Sequence, residues 1–168
     1  MKRTLWVGMF LACAAGVSAV AGEPCSVEGY SWQKLEAAFQ KAKAPVRRDL
    51  SGNWVMTGFV MTQEFGGGHR KDIAQSDCHG IKRNGELEWT LKFSVTPDDG
   101  LVVDSKKVGD AAQSRRVSFE ANGDLIFEQD DMGDSNPVYR CRMAGSQGLI
   151  CVYKGAAGHG MEFRKQEK

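Results

Sequence analysis

The chain has 168 residues, of which 26% are charged and 42% hydrophobic, and its formal net charge at pH 7 is only +1. A nearly neutral chain lacks the positive field that attracts nucleic acids or anionic membrane surfaces, so we predict neither as a partner. Its apolar runs are shorter than the roughly 20 residues of a membrane-spanning helix, which predicts no stable membrane span.

The N-terminal segment has the order of features that is typical of a secretory signal. A basic start is followed by an apolar run from Leu5 to Val17 and then by the small residues of Ala19-Val20-Ala21. Charge, apolar core and small-residue cleavage site in this order indicate a cleavable signal peptide. We predict a signal peptide over residues 1–21, a single β-barrel-like domain over residues 22–168, and a periplasmic or secreted location.

Cleavage would remove Cys13 and leave four cysteines, Cys25, Cys78, Cys141 and Cys151. An even number of cysteines in an exported chain indicates two disulfides, for which three pairings exist. The residues around the last two cysteines favour one of these pairings.

A turn at residues 145–147 places the last two cysteines in one hairpin. Three chemically matched pairs then lie opposite each other: Cys141 and Cys151, Tyr139 and Tyr153, and Met143 and Leu149. Compatible cross-strand pairs support a common register. We predict a Cys141–Cys151 disulfide and, by elimination, Cys25–Cys78. The alternatives join Cys25 to Cys141 and Cys78 to Cys151, or the reverse.

One amphipathic helix is predicted over residues 31–44. Its first residue is a serine, a typical N-cap, and Trp32, Leu35 and Phe39 recur at the spacing of one helical face. Pro45 disfavours helical backbone at the residue before it and should end the helix. A single apolar stripe on so short a helix indicates that it packs against a sheet.

From Leu50 onward, apolar residues alternate with polar ones, which is the pattern of strands with one buried face. Turn sequences such as Asn84-Gly85 and Asn122-Gly123 separate the strands. The predicted strands are 53–63, 73–82, 87–95, 101–107, 116–121, 124–129, 137–144, 148–154 and 160–165. This indicates a mainly β fold, a single antiparallel meander of about 8–9 strands closed as a barrel or folded as a sandwich.

The first predicted strand is apolar on both faces. One face carries Trp54, Met56 and Val60, and the other carries Val55, Phe59 and Met61. A strand of this kind is buried on both sides, or it exposes one side to a ligand or partner. We expect the stripe of the predicted helix to cover one of the two faces.

The sequence Gly52-Asn53-Trp54 opens this strand after a helical segment, and it resembles the Gly-x-Trp signature at the start of the lipocalin barrel. In that family the tryptophan closes one end of the barrel and an arginine near the last strand stacks over it, a position that Arg164 would take here. The family's Thr-Asp-Tyr motif is missing from this chain. The resemblance implies a lipocalin-like barrel with a cavity for a small apolar ligand.

Residue types that carry catalysis or bind metals occur without the required spacing. His69, His79 and His159 are the only histidines, and none stands at metal-ligand spacing from another. The acidic turn at residues 130–136 lacks the residue order of a calcium loop. No Gly-x-Ser-x-Gly sequence occurs, and disulfides would leave no free thiol. We predict no catalytic residue, no metal and no cofactor, and we favour a non-enzymatic function.

Two functions fit these predictions. The first is a non-catalytic binding protein of the cell envelope that holds a small apolar ligand inside its barrel, lined by Trp54, Trp89, Leu91, Phe93, Phe119 and Phe127. The alternative is a protein-binding inhibitor of a secreted or wall-degrading hydrolase, since rigid loops bind with little ordering cost. Its contact residues would be Gly67 and His69 in one loop and Asp131 and Asp134 in another.

Overall fold

A computed structural model of the chain describes residues 30–128 and 137–167. The predicted signal peptide, Cys25, Asp131 and Asp134 lie outside the described residues. None of the helices in the described part of the chain is long and apolar enough to span a membrane.

The described residues contain two helices and twelve strands. These are α1 (Trp32–Lys41), α2 (Arg47–Leu50), β1 (Gly52–Phe65), β2 (His69–Ser76), β3 (Lys82–Arg83), β4 (Glu86–Leu87), β5 (Trp89–Val95), β6 (Leu101–Lys107), β7 (Gln113–Arg116), β8 (Ser118–Phe119), β9 (Leu125–Glu128), β10 (Val138–Ala144), β11 (Gly148–Tyr153) and β12 (His159–Lys165). The short strands β3 and β4 pair only with each other.

The other strands form one antiparallel sheet that nearly closes on itself. Its order is β7-β6-β5-β1-β12-β11-β10-β9-β8, and β2 pairs with the part of β1 that β5 leaves uncovered. The two end strands are separated in the chain by Val117 alone, so one run from Gln113 to Phe119 pairs first with β6 and then with β9. The prediction of a mainly β antiparallel meander closed as a barrel is therefore confirmed.

β1 has 14 residues and pairs along both of its edges. One edge contacts β12, and the other contacts β5 near its start and β2 near its end. We call the end of the barrel where β1 begins the lower end and the opposite end the upper end.

The predicted strand 73–82 is wrong in its bounds. The turn at residues 66–68 starts β2 earlier, at His69, and Lys82 belongs to the separate β3–β4 hairpin.

A β-bulge in β1 changes which of its residues face inside the barrel. The pairing with β12 shifts just after Met56, which adds one residue to β1. Trp54 and Met56 face inside before the bulge. After it Phe59 lies opposite Met161 of the core, while Val60 packs on the outside. The prediction that Val60 shares a face with Trp54 and Met56 is wrong because the bulge interrupts strict alternation.

α1 ends at Lys41, three residues before the predicted end at residue 44. Ala42 already has extended backbone, and Lys43 exchanges two backbone hydrogen bonds of 2.9 and 2.8 Å with Met143. The chain leaves the helix early because pairing with β10 satisfies both backbone groups of Lys43.

α1 packs on the outer face of the barrel, as its apolar stripe predicts. Leu35 and Phe39 form a buried cluster with Val60 and Ile150. The guanidinium carbon of Arg142 lies 4.6 Å from the centroid of the Phe39 ring and adds a cation–π contact to this interface. The part of β1 from Trp54 to Val60 is therefore covered on both faces, by the barrel core inside and by the helix outside.

Trp54 closes the lower end of the barrel. Its indole Nε1 donates a hydrogen bond of 2.7 Å to the Leu50 carbonyl oxygen, and its ring meets Phe93 edge-on with the centroids 6.5 Å apart. The cation over the ring is Lys165, whose Nζ lies 5.5 Å from the centroid. The prediction of Arg164 for this position is wrong, because Lys165 is in register with Trp54 and Arg164 points to the other face of β12.

Cys141 and Cys151 form a disulfide between β10 and β11, as predicted. All three predicted cross-strand pairs of this hairpin are present. The bond excludes both alternative pairings that the sequence left open. Cys78 is also disulfide-bonded, and its predicted partner, Cys25, lies outside the described residues.

Replacing Gly160, which lies beneath α1, should destabilise the fold. A Cβ at this position would lie 2.7 Å from Leu35 Cδ2 and 2.8 Å from the carbonyl oxygen of Cys151, and a backbone oxygen cannot move aside easily. We expect Gly160→Ala to lower the free energy of unfolding by about 1–3 kcal/mol through overpacking. Urea denaturation followed by tryptophan fluorescence measures the change.

The matched control is Gly66→Ala, since a Cβ at Gly66 meets nothing within 4 Å. It should change the free energy of unfolding by less than about 0.5 kcal/mol. Equal stability of the two variants would contradict the close packing of α1 on β12.

Candidate functional site

The strand pairing identifies the side chains on the inner face of the barrel, because directly opposed residues point to the same side of a sheet. Five of the six predicted ligand-lining residues lie in the buried core, and Phe119 packs against it; the five are Trp54, Trp89, Leu91, Phe93 and Phe127. The centroid of Trp89 is 5.4 Å from that of Phe163 and 5.9 Å from that of Phe127. These rings contact one another and build the core, so their contact with a ligand stays a prediction.

Above this core, one row of inward side chains crosses five neighbouring strands. We call it the upper row, and it consists of Ile73, Met61, His159, Tyr153 and Tyr139. The ring centroid of His159 lies 5.7 Å from the ring centroid of Tyr153 and 5.9 Å from that of Tyr139. The ring centroids of the two tyrosines lie 5.9 Å apart. Tyr139 is buried, whereas the other four side chains are half-buried or exposed. The row therefore presents aromatic and apolar surface to solvent at the upper end.

The β1–β2 hairpin extends this inner face beyond the upper row. β12 pairs with β1 only as far as Met61, whereas β1 and β2 stay paired up to Phe65 and His69. Phe65 lies on the same face of β1 as Met61 and is 49% exposed. The predicted loop contacts Gly67 and His69 are also exposed, at the tip of this hairpin beside Phe65.

The hairpin is held in place by Asp72 on its outer face. Asp72 Oδ1 accepts a hydrogen bond of 2.7 Å from Thr62 Oγ1, and Oδ2 accepts one of 2.8 Å from the backbone nitrogen of Trp32. The carboxylate therefore lies at the N-terminus of α1, where negative charge is favoured by the helix dipole. This contact fixes the exposed apolar face relative to the barrel.

Lys107 adds a positive charge to the inner face at the upper end. It lies opposite Trp89, and its Nζ is 4.7 Å from the centroid of the Trp89 ring. Trp89 Nε1 in turn donates a hydrogen bond of 2.7 Å to Ser105 Oγ. Burial, together with the charge of Lys107, lowers the pKa of His159, so its imidazole is neutral at pH 7. The upper end thus combines aromatic rings, a neutral imidazole and an ammonium group.

A second titratable pair is buried beneath α1, on the outer face of the barrel. Glu162 is 7% exposed, and burial raises the pKa of its carboxyl to about 7, although the neighbouring Tyr30 hydroxyl counteracts this shift. Neither Tyr30 Oη nor Glu162 Oε1 has a hydrogen-bond partner of good geometry. A Cβ at Gly58 would lie 2.6 Å from Tyr30 Oη, so the pair is tightly enclosed. Its effect is therefore on stability rather than on binding.

Outside the upper end, the described part of the chain offers no metal site and no free thiol. Residues 30–128 and 137–167 contain no group of three or more His, Cys, Asp or Glu side chains that could hold a metal ion. An open depression of about 570 Å³ lies outside the barrel near its lower end, and its lining includes Val55, His79 and Gln147. Cys78 also lines it but is disulfide-bonded, so it supplies no nucleophilic thiol.

Comparison with known proteins finds no matching family model, curated protein or solved structure. The choice of site therefore depends on the geometry of the upper end. Sequence reasoning did not select the upper row as a site. Its only signal was the predicted pairing of Tyr139 with Tyr153, which showed that two tyrosines share a face but not that their neighbours continue the row.

Glu162 should make stability fall as the pH rises. Its pKa in the folded protein, about 7, lies above the ordinary value of 4.5, so the folded state binds more protons than the unfolded state between these values. By linkage, the free energy of unfolding falls through this window, on the order of 3 kcal/mol between pH 4 and pH 8. The lowered pKa of His159 acts in the opposite direction below about pH 6.5.

Comparison with Glu162→Gln isolates the effect, because the variant keeps His159 and resembles the protonated acid. Urea denaturation at several pH values should show wild-type stability falling relative to the variant as the pH rises. A constant difference from pH 4 to pH 8 would contradict the burial of an ionisable Glu162.

Proposed function

We propose that this chain is an exported, non-catalytic binding protein that holds the apolar part of a small ligand on the upper row. The observation that carries the proposal is the row itself, in which four of five inward side chains remain at least partly exposed above a packed core. Grouped apolar side chains that remain accessible to solvent are typical of interaction sites.

The exposed residues of the hairpin support the same location. Phe65 is 49% exposed and Ile73 is 39% exposed, and both lie on the inner face of the hairpin. Each 100 Å² of apolar surface that a ligand removes from water contributes about 2.5 kcal/mol. A ligand that lies between the hairpin and the tyrosines covers both side chains and the upper row together.

We further propose that the barrel is lipocalin-like, with a closed lower end and an open upper end. Support comes from Trp54, which seals the lower end beneath Lys165. The Cys141–Cys151 disulfide supports export, because disulfides persist in oxidising compartments.

Polar substitution of the hairpin face should weaken ligand binding. We expect the double variant Phe65→Ser with Ile73→Ser to bind Nile red about tenfold more weakly than the wild type, a loss of about 1.4 kcal/mol. Both side chains are exposed, so the fold should tolerate the change. Titration of dye fluorescence measures the dissociation constant, and native mass spectrometry of the purified protein tests for a co-purified ligand.

The matched control replaces two apolar residues away from the upper end, Val46→Ser with Val95→Ser, which are 53% and 44% exposed in the wild type. This variant should bind the dye like the wild type. Equal weakening in both double variants, or no dye binding by the wild type, would contradict the proposed site.

The tip of the hairpin favours a second candidate function, a protein-binding inhibitor of a secreted hydrolase. Residues 64–71 are all exposed, and Gly67 and Gly68 have positive φ values of 85° and 76° that hold a tight turn. In this case Gly67→Ala and His69→Ala should abolish inhibition of the target hydrolase in an activity assay while leaving Nile red binding unchanged. Inhibition that survives both substitutions would count against the tip as the contact.

A further inference from the structure

Acidic and basic residues are distributed differently over the two faces of the barrel strands. Basic residues such as Lys92, Arg140 and Arg142 also lie on the outer face, whereas acidic residues lie only there. Four basic residues lie on the inner face, as their pairing with inward residues shows: Lys71, Lys107, Arg115 and Lys165. The acidic residues of these strands all occupy positions of the outer face: Glu64, Asp72, Asp104, Glu128 and Glu162. Among the described strands, the inner face thus carries positive charge and no carboxylate.

Lys107 is the basic residue whose position is best suited to contact a ligand at the upper end. Lys165 lies over Trp54 at the closed lower end, Arg115 lies opposite Val103 and thus nearer that end than Lys107, and Lys71 is exposed on the hairpin. Lys107 instead lies half-buried over Trp89 and close enough to His159 to affect its titration. No carboxylate of the described residues forms an ion pair with it.

On the basis of the proposed function, we infer that the ligand is an amphiphile with one carboxylate, which binds the Lys107 ammonium group while the apolar body of the ligand lies on the upper row. A partly desolvated ammonium group favours an anion and disfavours a cation, so the same residue supplies both attraction and selectivity. The neutral imidazole of His159 contacts both tyrosines and feels the charge of Lys107, so it is placed to share a hydrogen bond with the head group.

The competing explanation is that Lys107 serves only to cover the Trp89 ring. A cation–π contact of this kind stabilises the fold but gives no preference among ligands. The two explanations therefore differ in the selectivity of binding and not in stability.

The test compares three ligands that share a ten-carbon chain: decanoate, decanol and decylammonium. Competition with Nile red gives the affinity of each for the full-length mature protein. We expect the wild type to bind decanoate about tenfold more tightly than decanol, and decylammonium most weakly, as an ammonium–carboxylate contact of about 1.4 kcal/mol predicts. Lys107→Met should abolish the preference for decanoate over decanol and leave decanol binding unchanged.

Two further variants serve as controls. Lys106→Met removes a charge from the adjacent position, which faces outward opposite Thr90, and should keep the tenfold preference. Lys107→Arg keeps the positive charge and should therefore also keep the tenfold preference for decanoate over decanol. These measurements remain decisive if Lys107→Met folds poorly, because the preference of the wild type and its retention in Lys107→Arg are tested independently.

The outcomes separate the inference from the proposed function. If decanol and decanoate bind equally well, or if Lys106→Met reduces the preference as much as Lys107→Met, the inference is overturned while the binding function stands. If none of the three ligands displaces Nile red and the dye itself does not bind, the proposed function fails and the inference fails with it.

Discussion

The fold depends on β1, which is the strand that joins the parts of the barrel. It pairs with β12 along one edge and with β5 and β2 along the other, and both of its faces are buried from Trp54 to Gly58. Trp54 packs inside the barrel and Val60 packs outside against α1. A shift of one residue would turn Trp54 out of the barrel core and Val60 away from α1, so packing on both faces specifies the register.

The same strand builds the candidate site. The bulge after Met56 reverses the alternation of β1, so that Met61 and Phe65 face inside where an uninterrupted strand would turn them outward. β1 then runs past the last paired residue of β12 and carries the exposed hairpin above the barrel. Apolar surface at the upper end is therefore a direct consequence of the length of β1 and of one inserted residue, and Asp72 holds this hairpin in position at the start of α1.

Features determined by local patterns could be predicted from the sequence, and features determined by distant contacts could not. The helical stripe and the β10–β11 hairpin with its Cys141–Cys151 bond depend on spacing within a few residues, and both predictions are confirmed. The bulge could not be predicted from the alternation of polar and apolar residues, since β1 is apolar on both faces. The cation over Trp54 is Lys165 rather than Arg164 because register across the sheet decides it. The upper row could not be predicted from the sequence, because its residues come together only through the order and register of five strands in the sheet.

The central claim is that a ligand lies on the inner face at the upper end, with its charged group at Lys107. A crystal structure with 10-bromodecanoate tests this claim most directly, because anomalous scattering locates the bromine. The account predicts bromine beside Met61 and Tyr153 and the carboxylate within ion-pair distance of Lys107 Nζ. Bromine outside the barrel, in the depression beside Val55 and His79 or beneath α1, would contradict it.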